Sequence, residues 1–341
     1  MTWQTVARKD FEDVIRSWML WAILGVFALM MGVVAIGADT NDTAQSGSAL
    51  VYDLFNTLGG ELLIPLAALI VTYMAITGER ESGSLRILFG LSHGRRSVFL
   101  GKLCSRLATM LFATVVLLSI TAGVIFYIFG SIDLGLFVQF AGLTLLFSAT
   151  FVGIALGISA MTGSRTRALG GVIGVYVLFM VIWDTLVAIL FRVTQGHFPG
   201  LEAPTWYFLL QRLNPLTAYR EALILLTDNY IWAMIGSSIL EDLSAEEATP
   251  EALMLTNRVG GDLPFYLTEW ASVAVLLVWA IVPLAIGYWQ FRSCGSELRR
   301  SGPLLVRPST VRALNPADSA LQRRTLKPAD SALHQPNPEA C

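Results

Sequence analysis

Charged residues are scarce in this chain. Asp, Glu, Lys and Arg together make up 14% of its 341 residues, against about 25% in a typical soluble domain. So few charges could not cover the surface of a soluble fold of this size. Because 55% of the residues are apolar, most of the chain is also too hydrophobic to be disordered. The composition therefore indicates a polytopic membrane protein.

Clusters of cysteine and histidine are also missing. The three cysteines have no paired spacing, which excludes a disulfide framework and a zinc site. His93, His197 and His334 fall in separate polar segments, so they predict no metal triad inside a membrane. The net charge of −2 gives no reason to expect a nucleic-acid partner.

A phosphate-binding loop and a zinc-protease motif are absent as well. No G-x-x-x-x-G-K-[ST] loop occurs, because Gly101-Lys102 is followed by Leu103 and lacks the upstream glycine. H-E-x-x-H is absent. The letters G-x-S-x-G occur once, at Gly90-Leu91-Ser92-His93-Gly94, in a predicted turn of the loop 79–106 and not between a strand and a helix, where a hydrolase would have them. The chain is therefore predicted to have no catalytic site and no cofactor of its own.

Long apolar runs are what the sequence does contain. About 20 apolar helical residues cross a membrane, and these runs are too long for barrel strands, so an all-α fold with six transmembrane helices is predicted. The predicted spans are Trp18–Ala38, Leu54–Gly78, Leu107–Phe129, Leu136–Met161, Ala168–Phe191 and Ala271–Phe291.

Basic residues are distributed unevenly between these spans. The segments 1–17, 79–106, 162–167 and 292–341 hold 19 of the 23 Lys and Arg residues. The positive-inside rule therefore places both termini in the cytoplasm and segment 192–270 outside the cell membrane.

The segments outside the spans have distinct characters. Residues 1–17 predict an amphipathic helix, lying either in the membrane interface or packed as a plain cytosolic helix on the bundle. Segment 192–270 is too long for a bare connection, and Asn214-Pro215 predicts a break between two short helices on the outer face. The proline-rich tail 292–341, with Pro-Ala-Asp-Ser-Ala-Leu twice, is predicted to be mostly disordered and cytoplasmic.

The loop 79–106 combines an apolar patch with charges. Leu85, Leu88 and Phe89 share one helical face, and Ser92-His93-Gly94 predicts a turn. A patch of this kind fits a groove on another protein. The same pattern also fits packing against the chain's own helices, and the residues alone leave the two hypotheses equal.

Glu79-Arg80-Glu81-Ser82-Gly83-Ser84-Leu85, followed by a basic turn and Leu100-Gly101-Lys102, resembles the cytoplasmic loop of type-2 ABC exporter permeases. The branch it most resembles is the membrane subunit of nitrous-oxide reductase maturation transporters. Ser84 stands where the family usually has Thr, and Ser92-His93 stands where Pro is common. The residues that would couple to an ATPase are Glu79, Glu81, Gly83, Leu85, Leu88, Phe89, Arg95, Arg96, Gly101 and Lys102.

The resemblance implies a half-transporter in the lipid bilayer. Two permease subunits, identical or different, would pair, and separate ABC ATPase subunits would bind ATP and Mg and hydrolyse the ATP. The rival hypothesis is a carrier or channel that works without ATP. Such a protein would be expected to show polar groups or repeated halves near the midplane, and this sequence has few of the former and none of the latter.

Two acids fall inside predicted spans, Glu61 and Asp184. Intramembrane carboxylates usually face a cavity or the interior of a bundle, so both could line a translocation path. Their predicted depth is in the outer leaflet, where their side chains could instead reach the outer surface.

Overall fold

The computed structural model describes residues 3–40, 49–81, 95–227, 231, 249, 251–259 and 262–300. All regular elements in these ranges are helical. The α-helices are α1 (Trp3–Ile15), α2 (Trp18–Thr40), α3 (Ala49–Leu54), α4 (Ile64–Thr72), α5 (Met74–Glu81), α6 (Arg95–Phe129), α7 (Leu134–Met161), α8 (Arg165–Val177), α9 (Trp183–Gln195), α10 (Thr205–Arg212), α11 (Pro215–Thr227), α12 (Leu255–Arg258) and α13 (Glu269–Arg300).

Three further turns have other helical geometries. Two are π-helical: π1 (Phe55–Leu63) joins α3 to α4, and π2 (Leu178–Ile182) joins α8 to α9. The third is a 3₁₀ turn at Phe265–Leu267. The chain divides into a unit of residues 1–290 and a second unit of residues 291–341, of which the end of α13 is described.

Five helical stretches are long and apolar enough to cross a membrane. They are Val51–Glu81, Arg96–Phe129, Leu134–Met161, Arg165–Gln195 and Glu269–Arg292. The pair Ala7–Ile15 and Leu20–Val33, bent by 51°, makes a sixth if it forms one span. The predicted all-α polytopic fold is confirmed, with five spans or six. The tail beyond Arg300, predicted to be disordered, lies outside the described residues.

Helix α7 is the centre of the bundle, and aromatic rings pack on it. Phe140 contacts Phe55 edge-on with ring centroids 5.0 Å apart, and Tyr52 at 4.9 Å. Two turns further on, Phe147 stacks on Tyr219 of α11 at 4.1 Å. Edge-on and offset ring pairs of this kind add about 0.5–1.5 kcal/mol beyond the apolar area they bury.

Helices α7 and α13 approach closely because glycine lines both sides of their contact. A Cβ on Gly153 would lie 2.3 Å from the Ala280 carbonyl oxygen, and one on Gly157 would lie 2.4 Å from that of Pro283. A Cβ on Gly287 of α13 would lie 2.7 Å from the Gly157 oxygen. The Gly153-x-x-x-Gly157 motif therefore sets this helix–helix distance.

The predicted pair of short helices in the outer segment is present as α10 and α11. Leu213 and Asn214, which lie between them, are not helical. Their predicted position on the outer face is wrong for α11. Tyr219 is fully buried, as are the side chains of Ala218 and Leu223. Helix α11 packs into the bundle because one of its faces is almost entirely apolar.

Candidate functional site

The predicted coupling loop is described at its two ends. Glu79 and Glu81 close α5, while Arg95, Arg96, Gly101 and Lys102 lie in the first turns of α6. Gly83, Leu85, Leu88 and Phe89 lie outside the described residues. Arg96 is exposed and Gly101 is buried.

Lys102 is the centre of an ion-pair network between three helices. Its Nζ lies 2.7 Å from Oδ1 of Asp10 in α1 and 2.7 Å from Oε1 of Glu79 in α5. The Lys102 side chain is 7% exposed. Arg106, one turn further along α6, places Nη2 3.3 Å from Asp10. The start of α6 is therefore held to α1 and to the end of α5.

Glu81 fixes the other side of α5. It accepts a hydrogen bond from the backbone N–H of Arg165 at 2.7 Å, and Arg165 Nε lies 3.1 Å from its second oxygen. Arg80 Nη1 donates to the Thr162 carbonyl at 2.7 Å. The end of α5 is thus held to the turn between α7 and α8.

The start of α5 is capped from α7. Helix α5 begins after a break at Tyr73, and the first N–H groups of a helix have no acceptor within it. The Ser159 hydroxyl accepts from the N–H groups of Ile76 at 3.1 Å and Thr77 at 3.3 Å. Both ends of α5 are therefore anchored to α7, α8 or α6 before the chain enters residues 82–94.

Glu61 is buried in π1 and paired with an arginine. Its carboxylate accepts from Arg220 Nη1 of α11 at 2.8 Å and from Asn56 Nδ2 at 3.4 Å. The Glu61 side chain is 4% exposed and that of Arg220 12%. The alternative in which Glu61 reaches the outer surface is therefore wrong. Pro65 follows Glu61 in the first turn of α4, where its missing N–H costs little.

Asp184 opens α9, next to π2, and shares the electrostatic environment of Arg220. It is 9% exposed. Its Oδ1 and the Oδ1 of Asn56 are buried and have no hydrogen-bond partner among the described residues. Buried polar atoms are normally paired. These two oxygen atoms could therefore each accept a hydrogen bond from a group outside the described part of the chain.

Helix α11 and the residues before it contact both π-helical turns. Asn214 Nδ2 donates to the Phe179 carbonyl of π2 at 2.7 Å. A Cβ on Gly60 of π1 would lie only 2.8 Å from the Tyr219 ring, so the glycine leaves the space that this ring needs. The Tyr219 hydroxyl shares a hydrogen bond of 2.8 Å with Thr144. π-helical turns are rare and frequent at functional sites, so this junction is a candidate site.

Arg212, just before the break, is 1% exposed and donates to the Thr268 carbonyl at 2.7 Å. Burial lowers its pKa, while the carboxylates of Glu221 and Glu269 act in the opposite direction. Arg212 therefore ties the end of α10 to the start of α13.

Sequence reasoning missed the partners of these residues. Arg212 and Arg220 stand in the mostly apolar stretch Pro204–Thr227, and a buried cation in such a stretch requires an acid or a carbonyl as its partner. Asp10 lies beside Trp3 and Val14 on one face of α1, and an acid among apolar residues at helical spacing could have indicated a buried partner. No group of three or more potential metal ligands occurs among the described residues.

The amino-acid sequence matches known proteins over most of its length. The family described as "ABC-2 family transporter protein" matches residues 4–294. The chain belongs to this family.

Two curated relatives carry the name "Probable ABC transporter permease protein NosY". The protein of Pseudomonas aeruginosa is 28% identical over 294 residues, covering 84% of this chain and 97% of the relative. The protein of Stutzerimonas stutzeri is 28% identical over 290 residues, covering 81% and 96%. This chain is therefore an ABC transporter membrane subunit of the ABC-2 family.

Proposed function

We propose that this chain is the permease half of an ATP-driven exporter, with residues 79–106 as the segment that docks a separate ATPase subunit. Two permeases would pair in the cell membrane with their termini in the cytoplasm, and ATP and Mg would bind to the partner. The observation that carries this proposal is the anchoring of both ends of the loop. Lys102 and Glu81 connect the loop to α1, α5, α6 and the α7–α8 turn.

Such anchoring suits a coupling element. A force applied to residues 82–94 would reach four helices through short charged hydrogen bonds. Charge-assisted bonds of this kind are stronger than neutral ones. The chain has no phosphate-binding loop, so the force would have to come from another subunit.

We further propose that the substrate path passes the cluster of Glu61, Asp184 and Arg220. The unused acceptors on Asp184 and Asn56 support this, because a polar or cationic substrate group could bind to them. Helix α11 also links this cluster to both π-helical turns. A shift of α11 would therefore change the surroundings of both acids together.

The docking proposal is tested by adding a charge to the apolar patch. Leu88→Asp should abolish co-purification of the ATPase, since an apolar anchor in a partner's groove often contributes ~2 kcal/mol or more. Ile87→Asp is the matched control, because in the helix that the sequence predicts here residue 87 falls opposite the face that carries Leu85, Leu88 and Phe89.

Two results would contradict the docking proposal. Co-purification of the ATPase with Leu88→Asp at the wild-type level would exclude docking by this patch. Loss of the folded permease in Leu88→Asp but not in Ile87→Asp would assign the patch to the permease's own core.

A further inference from the structure

A cavity of about 280 Å³ lies between α1, α2, α4, α5 and α6. The described residues that line it come from the end of α1, the start of α2 and the α4–α5 break, together with Arg106 of α6. A water molecule occupies about 30 Å³ in the liquid. The cavity therefore has room for a chemical group much larger than a single water.

Tryptophans place this cavity at a membrane–water interface. Trp18 and Trp21 stand at the bend between α1 and α2, and they are 78% and 52% exposed. Trp21 Nε1 donates to the Ile15 carbonyl at 2.8 Å, so its ring is held at the bend. Exposed tryptophans are typical of the headgroup level of a bilayer. Ser17, which lines the cavity, lies at the same bend.

The walls of the cavity are of two kinds. Leu20, Ile70 and Val71 form an apolar part. Asp10, Asp13 and Arg106 form a charged part. A site with an apolar wall and a few convergent polar groups is typical of small-molecule binding. At headgroup level, a molecule that offers both kinds of surface is a phospholipid.

Arg106 lines the cavity and has one hydrogen-bond donor with no acceptor among the described residues. Its Nη2 faces Asp10 at 3.3 Å, but its Nε is buried and has no hydrogen-bond partner among the described residues. An unpaired guanidinium N–H beside a cavity favours an anionic oxygen, and Arg is the side chain best suited to phosphate.

The acids around the cavity argue against an anionic lipid. Asp10, Asp13 and Glu79 outnumber the two cations Lys102 and Arg106. Lys102 is already engaged by Asp10 and Glu79. Asp13 lines the cavity at its exposed rim and could accept hydrogen bonds from an ammonium group. The charge pattern therefore matches a headgroup with one phosphate and one primary amine.

We propose that this cavity binds the headgroup of a phosphatidylethanolamine. Its phosphate would accept from Arg106 and its ammonium would donate to Asp13. Its glycerol end would lie against Leu20, Ile70 and Val71. With the proposed orientation, in which the termini are cytoplasmic, this lipid would belong to the cytoplasmic leaflet. The binding site itself does not depend on that orientation.

Native mass spectrometry of the full-length permease with added lipids tests the site. Phosphatidylethanolamine should be retained in preference to phosphatidylglycerol, which lacks the amine, and to phosphatidylcholine, whose trimethylammonium donates no N–H. Asp13→Asn should lower the retention of phosphatidylethanolamine about fivefold, the effect expected for one charge-assisted hydrogen bond near a surface. Met74→Trp, which adds bulk to the cavity wall, should lower the retention of all three lipids.

Glu12→Gln is the matched control. Glu12 neighbours Asp13 on α1 but pairs with Arg8 on the exposed face and does not line the cavity, so its retention of lipid should equal that of the wild type. Equal loss in both variants, or no preference for the ethanolamine lipid, would overturn the proposal. Equally tight binding of free phosphoethanolamine would also overturn it, because the ligand would then be soluble. Lipid retention needs no ATPase, so this result is independent of the docking test.

Discussion

Glu61 and Arg220 are 159 positions apart in the chain and 2.8 Å apart in the fold. One stands in the π-helical turn π1 and the other in the short helix α11. The pair joins a membrane-spanning stretch to α11, which is too short to cross the membrane because the helix is interrupted at Asn214-Pro215. It also helps to set the position of α11, and Asn214, the residue before α11, donates to the Phe179 carbonyl of π2.

Breaking this pair from one side should destabilise the bundle strongly. Glu61→Leu leaves the Arg220 charge buried without its partner, and Arg220→Met does the same to Glu61. Removing one member of a buried pair typically costs about 3–5 kcal/mol. Thermal unfolding of the purified permease in detergent should show a large drop in Tm for each single variant.

The double variant separates pairing from packing. Glu61→Leu combined with Arg220→Met removes both charges and keeps apolar volume, so its Tm should lie above that of either single variant. Additive losses in the double variant would show that the two side chains act independently. A double variant that is stable but does not transport would support a role for the charges in the substrate path.

The contact between α7 and α13 gives a second prediction. Gly153→Ala would place a Cβ 2.3 Å from the Ala280 carbonyl oxygen, and backbone cannot move aside as a flexible side chain can. We expect a loss of about 1–3 kcal/mol or more from overpacking, measured as a lower Tm.

Gly142→Ala is the control for that variant on the same helix. A Cβ on Gly142 meets nothing within 4 Å. Alanine is favoured over glycine in a helix interior by up to about 1 kcal/mol, so this variant should be neutral or slightly stabilised. A Gly153→Ala protein as stable as Gly142→Ala would contradict the close helix contact.

Hydrophobic run length was sufficient to predict the class of fold. Runs such as Leu136–Met161 have no other structural solution in lipid, and the structure has a helix at Leu134–Met161. The break at Asn214-Pro215 was also predictable, because proline and the residue before it resist helix continuation. These features depend on local sequence, so a single sequence contains them.

The partners of the charged residues could not be predicted from the sequence. Asp10, Glu79 and Lys102 meet although Asp10 and Lys102 are 92 positions apart, and no local pattern encodes such a distance. The burial of α11 depends in the same way on the space that Gly60 leaves for Tyr219. Tertiary packing decides these contacts.

The orientation predicted from basic residues can be tested by labelling. Cys104, Cys294 and Cys341 are first replaced, and single cysteines are placed at Glu246 and at His93, both outside the described residues. The positive-inside rule predicts that a membrane-impermeant thiol reagent added to intact cells labels position 246 and not position 93. After permeabilisation both positions should react, and the reverse order in intact cells would contradict the orientation.

Lys102 gives the prediction that connects structure to coupling. Lys102→Met removes the cation that lies 2.7 Å from both Asp10 and Glu79. The two carboxylates would then repel each other in a partly buried place, and the loss should be about 3 kcal/mol. Hydrogen exchange of the α1 amides should become faster, because α1 loses its main charged contact with α6.

In the complex, ATP hydrolysis by the Lys102→Met variant should continue while transport falls, since the loop would no longer be fixed to α1 and α5. Lys9→Met is the control, because Lys9 lies on α1 itself but is exposed, and this variant should leave both exchange and transport unchanged. Faster exchange with normal transport would show that Lys102 stabilises α1 without taking part in coupling.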